Sequence, residues 1–193
     1  MSERTVSTAQ RGRMLASTIG KPVLFAVLIW LASAAGEISI PGTPVPITLQ
    51  TFVMMLAGLM LSWRQAGSAV VLYLAAGAAG LPVFAGGAST AALFGPSAGF
   101  LIGFLPAVIV TALLRGKARL DSAPHAALTA VRYFGASLAG NLVVLYLFGI
   151  TIQSMVMHVP FTTVAIASMG FVIGDVIKAV VASLAATGLA KLF

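Results

Sequence analysis

Between Pro22 and Leu114 the chain carries only two charged residues, Glu37 and Arg64. A soluble domain needs roughly a quarter of its residues charged to cover its surface. Over the full 193 residues the share is 8%, against 60% hydrophobic, so a water-soluble enzyme is excluded. Disorder is excluded too, since it requires low hydrophobicity and dense charge. A membrane β-barrel would alternate apolar and polar positions, whereas this sequence runs apolar continuously. The expectation is an all-α integral membrane protein. At about 20 residues per crossing, the length accommodates about six transmembrane helices.

Apolar runs between charge and Pro/Gly punctuation place the spans near 17–36, 49–61, 66–80, 95–114, 128–150 and 162–189. The second and third are short for a full crossing. Basic residues sit at Arg4, Arg11, Arg13 and Lys21, at Arg64, at Arg115, Lys117, Arg119 and Arg132, and at Lys191. The connections 37–48, 81–94 and 151–161 hold no Lys or Arg. The positive-inside rule then orients the chain N-in/C-in, with ordered outer loops. A cytoplasmic basic segment, 1–16, precedes a single six-helix membrane domain, 17–193. This distribution accounts for the +7 net charge without a nucleic-acid partner. Ala32-Ser33-Ala34 resembles a signal-cleavage box, but the charge asymmetry requires the first span to stay.

With four acidic residues, two His (His125 and His158) and no Cys, a metal centre or acid–base dyad is hard to assemble, and no cofactor is expected. One pair stands out instead. Asp175 and Lys178 lie mid-span in Gly174-Asp175-Val176-Ile177-Lys178. An ionisable group there costs about 2.5–3.5 kcal/mol or more, and intramembrane charge is functional by default. At i and i+3 the two share a helix face and partly neutralise one another.

Two outer loops look built for a ligand. In Ser39–Gln50 (SIPGTPVPITLQ), Pro41, Pro44 and Pro46 stiffen an apolar segment that reads as a lid. Thr48 and Gln50 follow at the mouth of the second span. In Gly80–Thr90, the paired Gly86 and Gly87 allow close backbone approach, with Phe84 and Thr90 flanking them. It is no phosphate loop, because G-x-x-x-x-G-K-[ST] occurs nowhere. Asn141, inside the fifth span, is a further candidate, though an interhelical hydrogen bond is the plainer reading. Glu37 reads as an interfacial carboxylate, and Trp30, Trp63 and Tyr146 as belt or core aromatics. The stripes Gly95-x3-Gly99-x3-Gly103 and Gly170-x3-Gly174 read as helix-packing faces.

Taken together, PVPITLQ at 44–50, GLPVFAGG at 80–87, Gly95-Pro96 with Gly99, and GDVIK at 174–178 resemble the BioY family. These are the biotin-specific substrate-binding components of energy-coupling-factor (ECF) transporters. The resemblance implies a six-helix protein of the cytoplasmic membrane that captures biotin from outside, energised by a coupling transmembrane subunit and two ATPase subunits. It places Asp175, Lys178, the lid and the Gly-Gly loop at the biotin pocket, with Thr48, Gln50, Phe84 and Thr90 as further contacts. The first helix departs from the family's Ala-x-x-x-Ala docking pattern, with Trp30 four residues after Ala26. A solitary biotin transporter, or an intramembrane enzyme acting on a lipid, are the alternatives.

Overall fold

The computed structural model describes residues 8–190, with side chains from residue 18 onward. The side chains of Arg4, Arg11, Arg13 and Lys191 lie outside that description, and with them the character of segment 1–16. The described chain forms six helices: α1 (Thr8–Ala34), α2 (Gln50–Met60), α3 (Trp63–Ala78), α4 (Ala98–Leu114), α5 (Ala123–Met157) and α6 (Phe161–Leu189). Among the described residues there is no strand, only an isolated antiparallel bridge between Ile38 and Ile47.

The helix ends follow from local chemistry. Ser62 and Gln65 form a reciprocal capping box that starts α3 with only two residues between it and α2. Ser122 accepts from the His125 N–H at the start of α5, with Pro124 in the first turn. That helix ends where His158 turns left-handed (φ 53°), and Pro160 opens α6. Within α5, residues Leu138–Val144 are π-helical.

Among the described residues, α5 and α6 are the helices long and apolar enough to cross a bilayer unaided. With 11 residues, α2 rises about 16 Å, near half the hydrocarbon thickness. It therefore begins at depth, preceded by the Pro-rich segment instead of a helical turn. The fourth apolar run also begins later than its sequence suggests. Gly95-Pro96-Ser97 forms a turn, and the helix starts at Ala98.

At the centre, α4 packs against α2, α3 and α5. Its Ala107, Val108 and Thr111 are fully enclosed. On α6 the buried residues Val164, Ser168, Phe171, Asp175, Ala179, Ala182 and Ala186 form one stripe. The opposite face exposes Ile166 (74%), Ile173 (75%) and Leu184 (60%). An apolar face so bare belongs against lipid rather than water.

The glycine stripes divide in their roles. A Cβ at Gly99 would stand 2.7 Å from the Phe148 carbonyl, and one at Gly103 2.9 Å from Phe148 Cβ, so these two let α4 touch α5. Gly95 lies outside the helix and meets nothing closer than 3.6 Å, while Gly174 has open space around it. Gly99→Ala should therefore force α4 and α5 apart and cost about 1–3 kcal/mol. Gly174→Ala should be neutral or mildly stabilising in its helix. Thermal unfolding of both variants in one detergent checks this; equal midpoints would refute it.

Candidate functional site

A cavity of about 360 Å³ opens where the loops before α2 and after α3 meet the start of α4 and the middle of α6. At its polar end lies the ion pair. Lys178 Nζ stands 3.1 Å from Asp175 Oδ1, with side chains 13% and 6% exposed. The ammonium also donates to the Thr48 carbonyl (2.8 Å) and to Thr51 Oγ1 (2.9 Å). The Thr51 hydroxyl donates to Asp175 Oδ1 (2.9 Å), and Tyr146 donates to Oδ2 (2.9 Å).

An ammonium has three donors and a carboxylate about four acceptor directions. All three donors of Lys178 are taken. Asp175 has accepted three bonds and keeps one direction free, on Oδ2. The two members of the pair are thus unequal: the carboxylate can receive one more N–H, whereas the ammonium is fully engaged. The network also ties three elements together, since Thr51 belongs to α2, Tyr146 to α5, and the pair itself to α6.

Apolar walls complete the cavity. Phe100, Tyr146 and Phe171 stand edge-to-face, with ring centroids 6.0–6.5 Å apart and planes 79–83° apart. Such arrangements add about 0.5–1.5 kcal/mol per pair beyond area burial. On the opposite side Phe84 packs edge-on to Tyr73 at 5.3 Å, its ring filling the space a Cβ at Gly77 would need. The Tyr73 hydroxyl donates to the Val83 carbonyl and accepts from Gln50 Nε2. Gln50 Oε1 in turn accepts from Thr48 Oγ1 (3.0 Å). Gln50 is therefore the strut between α2, α3 and the Gly-Gly loop.

Of the residues singled out in the sequence, Thr48, Gln50, Phe84, Gly86, Asp175 and Lys178 line this cavity. Gly87 and Thr90 do not. Thr90 Oγ1 bonds the Gly77 and Ala78 carbonyls and so closes the end of α3. Asn141 is buried in the π-helical turns, away from the cavity, and its amide donates within its own helix, to Ser137 O (3.4 Å). Among the described residues it makes no interhelical bond of the kind expected. Glu37, read as a plain interfacial carboxylate, stands instead at the cavity rim, its oxygens 3.5–3.6 Å from where a Gly86 Cβ would be.

Thr51, Tyr146 and Phe171 were missed or undervalued. Phe171 carried a signal, because 171, 175 and 178 fall on one face of a 3.6-residue repeat. Thr51 carried none, as its role depends on how α2 meets α6.

The loop 39–48, read from the sequence as a lid, is seated by side chains. Thr43 accepts from Gln153 Nε2 (3.4 Å), a residue 2% exposed near the end of α5. Ile40 occupies the notch left by Gly170, where a Cβ would be 2.9 Å from Ile40 Cγ2. Residues 38 and 47 close the loop's base with two backbone hydrogen bonds.

The family model described as the BioY family matches residues 5–193. This chain belongs to the BioY family. The chain named Biotin transporter BioY from Rhizobium etli is 41% identical over 162 residues, covering 83% of this chain and 86% of that one. The BioY of Rhodobacter capsulatus is 40% identical over 179 residues (87% and 90%), and that of Thermotoga maritima 37% over 158 (80% and 86%). Among solved structures, the S-component for biotin from an ECF-type ABC transporter superposes with a TM-score of 0.82. It is 24% identical, with 97% of this chain and 95% of that one covered, so the two share a fold.

Removing one partner of a buried ion pair strands the other and costs about 3–5 kcal/mol, whereas removing both often costs little. Lys178→Met should accordingly lower the thermal midpoint more than the double variant Asp175→Asn/Lys178→Met does. Additive losses in unfolding scans of the two singles and the double would show the pair to be uncoupled.

Proposed function

We propose that this chain takes up biotin across the cytoplasmic membrane as the high-affinity substrate-binding (S) component of an ECF transporter. The observation that carries the reading is Asp175, with one acceptor direction still free, at the end of an aromatic cavity in a chain of the BioY family. Biotin offers two ureido N–H donors, a carbonyl, an apolar bicycle and a carboxylate. Asp175 Oδ2 receives one ureido N–H, and Phe100 and Phe171 hold the ring system. Lys178 pairs with Asp175 and anchors Thr48, so its part is positioning and charge. Gln50, Phe84 and Gly86 shape the wall, while Gly87 and Thr90 hold the loop behind it. Asn141 supports the bundle from a distance.

Biotin enters when the 39–48 lid lifts from Gln153 and Gly170. A mostly apolar pocket with few polar groups suits such a ligand. The relatives named above are transporters, and no catalytic step is assigned. Energy comes from two ATPase subunits through a coupling transmembrane subunit, as fits a chain without a phosphate-loop motif. The domain 17–193 sits in the bilayer as a multi-pass, N-in/C-in bundle, with segment 1–16 in the cytoplasm.

Equilibrium binding of labelled biotin to purified protein tests the core of this reading. Asp175→Asn should weaken binding about tenfold or more, the value of a hydrogen bond to a charged group. No binding by the unaltered chain would overturn the function; unchanged affinity in the variant would overturn the site. Uptake persisting in cells stripped of every coupling subunit would make it a solitary transporter.

The absence of cysteine makes the orientation easy to read. Leu81→Cys should react with an impermeant thiol reagent on intact cells, and Arg64→Cys only after permeabilisation. The reverse pattern would invert the topology.

A further inference from the structure

At the opposite end of the bundle, where α2, α4 and α6 finish, a second cavity of about 240 Å³ has no part in the biotin reading. Its walls mix Leu59, Met60 and Leu189 with Arg115, Lys117 and Tyr133. The connection that frames it, 115–122, is no slack linker. Arg115 donates to the Leu59 carbonyl at the end of α2, and Arg132 donates to the Lys117 carbonyl. Thr129, buried in α5, accepts from the Arg119 N–H and donates to backbone carbonyls (2.9–3.1 Å). Gly116 adopts φ +63° and leaves room for the Arg132 guanidinium, whose carbon would lie 3.1 Å from a Cβ there.

Two groups on this framed cavity are unspent. Tyr133 is 2% exposed, lines the cavity, and its hydroxyl has no hydrogen-bond partner among the described residues. Buried phenols normally find one. The Lys117 ammonium, on an exposed residue, also has no partner among the described residues. Charge at this end is lopsided. Arg115, Lys117, Arg119 and Arg132 face a single described acid, Asp121, which is already paired with His125 at 2.7 Å. The carbonyl ends of α2, α4 and α6 oppose an anion here. Arg115 offsets the first of them directly, and the balance stays positive.

We propose that this cavity binds the phosphate headgroup of an anionic phospholipid. Lys117 and the free N–H groups of Arg115 meet the phosphate, Tyr133 donates to a phosphate or glycerol oxygen, and the first methylenes lie along Leu59, Met60 and Leu189. Cationic pockets between helices on the positive side of a membrane protein suit such headgroups, and charge-assisted bonds from Arg and Lys supply the strength. The mixed walls favour a lipid over free phosphate, which has no use for the apolar side.

Native mass spectrometry of delipidated protein supplied with phosphatidylglycerol or phosphatidylcholine is the test, with inorganic phosphate as a competing arm. Phosphatidylglycerol should be retained preferentially and resist millimolar phosphate. Lys117→Glu should cut retention about tenfold or more, and Tyr133→Phe, which keeps the ring, severalfold, as for lost polar contacts to a charged ligand. Biotin affinity should stay unchanged in Lys117→Glu, which separates this inference from the biotin reading. Equal retention of the two lipids, or unaltered retention in both variants, would overturn it. So would phosphate binding with no lipid retained, because the occupant would then be a free anion.

Discussion

An ionised carboxylate at membrane depth has to be neutralised and hydrogen-bonded, or the helix that carries it will not sit there. Asp175 meets that demand through Lys178, Thr51 and Tyr146, residues drawn from three different helices. The remainder of the site is arranged around this node. Lys178 spends a second donor on the Thr48 carbonyl, which fixes where the extended lid segment ends and α2 begins. Tyr146 brings its ring to the Phe100–Phe171 wall as its hydroxyl reaches the carboxylate. One electrostatic requirement therefore sets the lid anchor, the aromatic wall and the depth of α2 together.

A short α2 is the backbone counterpart of that arrangement. Non-helical chain at membrane depth is tolerated only where protein or a cavity surrounds it. The segment from Ile40 to Thr48 satisfies this by lining the cavity through residues 43–48 and packing on α5 through Thr43 and on α6 through Ile40. Its prolines have no N–H to leave unpaired, which lowers the cost of running extended there. The same absence of helix before Gln50 is what leaves space for a ligand. Cavity and irregular backbone are two consequences of one choice.

The six apolar runs were legible because lipid-exposed helices must be apolar all along, and the runs match the six helices to within a few residues at most ends. The main departures are α1, which begins nine residues before the expected start, at Thr8, and the long α5, which reaches seven residues past Ile150 to Met157. The last two turns of α5 seat the lid through the buried Gln153 while Met155, Val156 and Met157 stay exposed on the other face. Asp175 and Lys178 were legible as rare charges in an apolar helix. Thr90 and Asn141 were not, since a polar residue in an apolar chain looks the same whether it meets a ligand, closes a helix end or bonds its own backbone. Glu37 was underread for a similar reason: its place at the rim depends on the fold of the Gly-Gly loop opposite.

By itself, then, the sequence determined that the chain is an apolar helical bundle with one charged pair in the interior and two stiff loops, because hydropathy and charge act residue by residue. Only the tertiary structure decided which groups satisfy the pair. Donor counting requires knowing that Thr48, Thr51 and Asp175 converge on one ammonium, and that Tyr146 reaches the carboxylate. That convergence makes Lys178 an anchor and leaves Asp175 with the open lone pair. Neither role is written in the spacing of the two residues, because it is set by helices that lie far apart in the chain and touch only when folded.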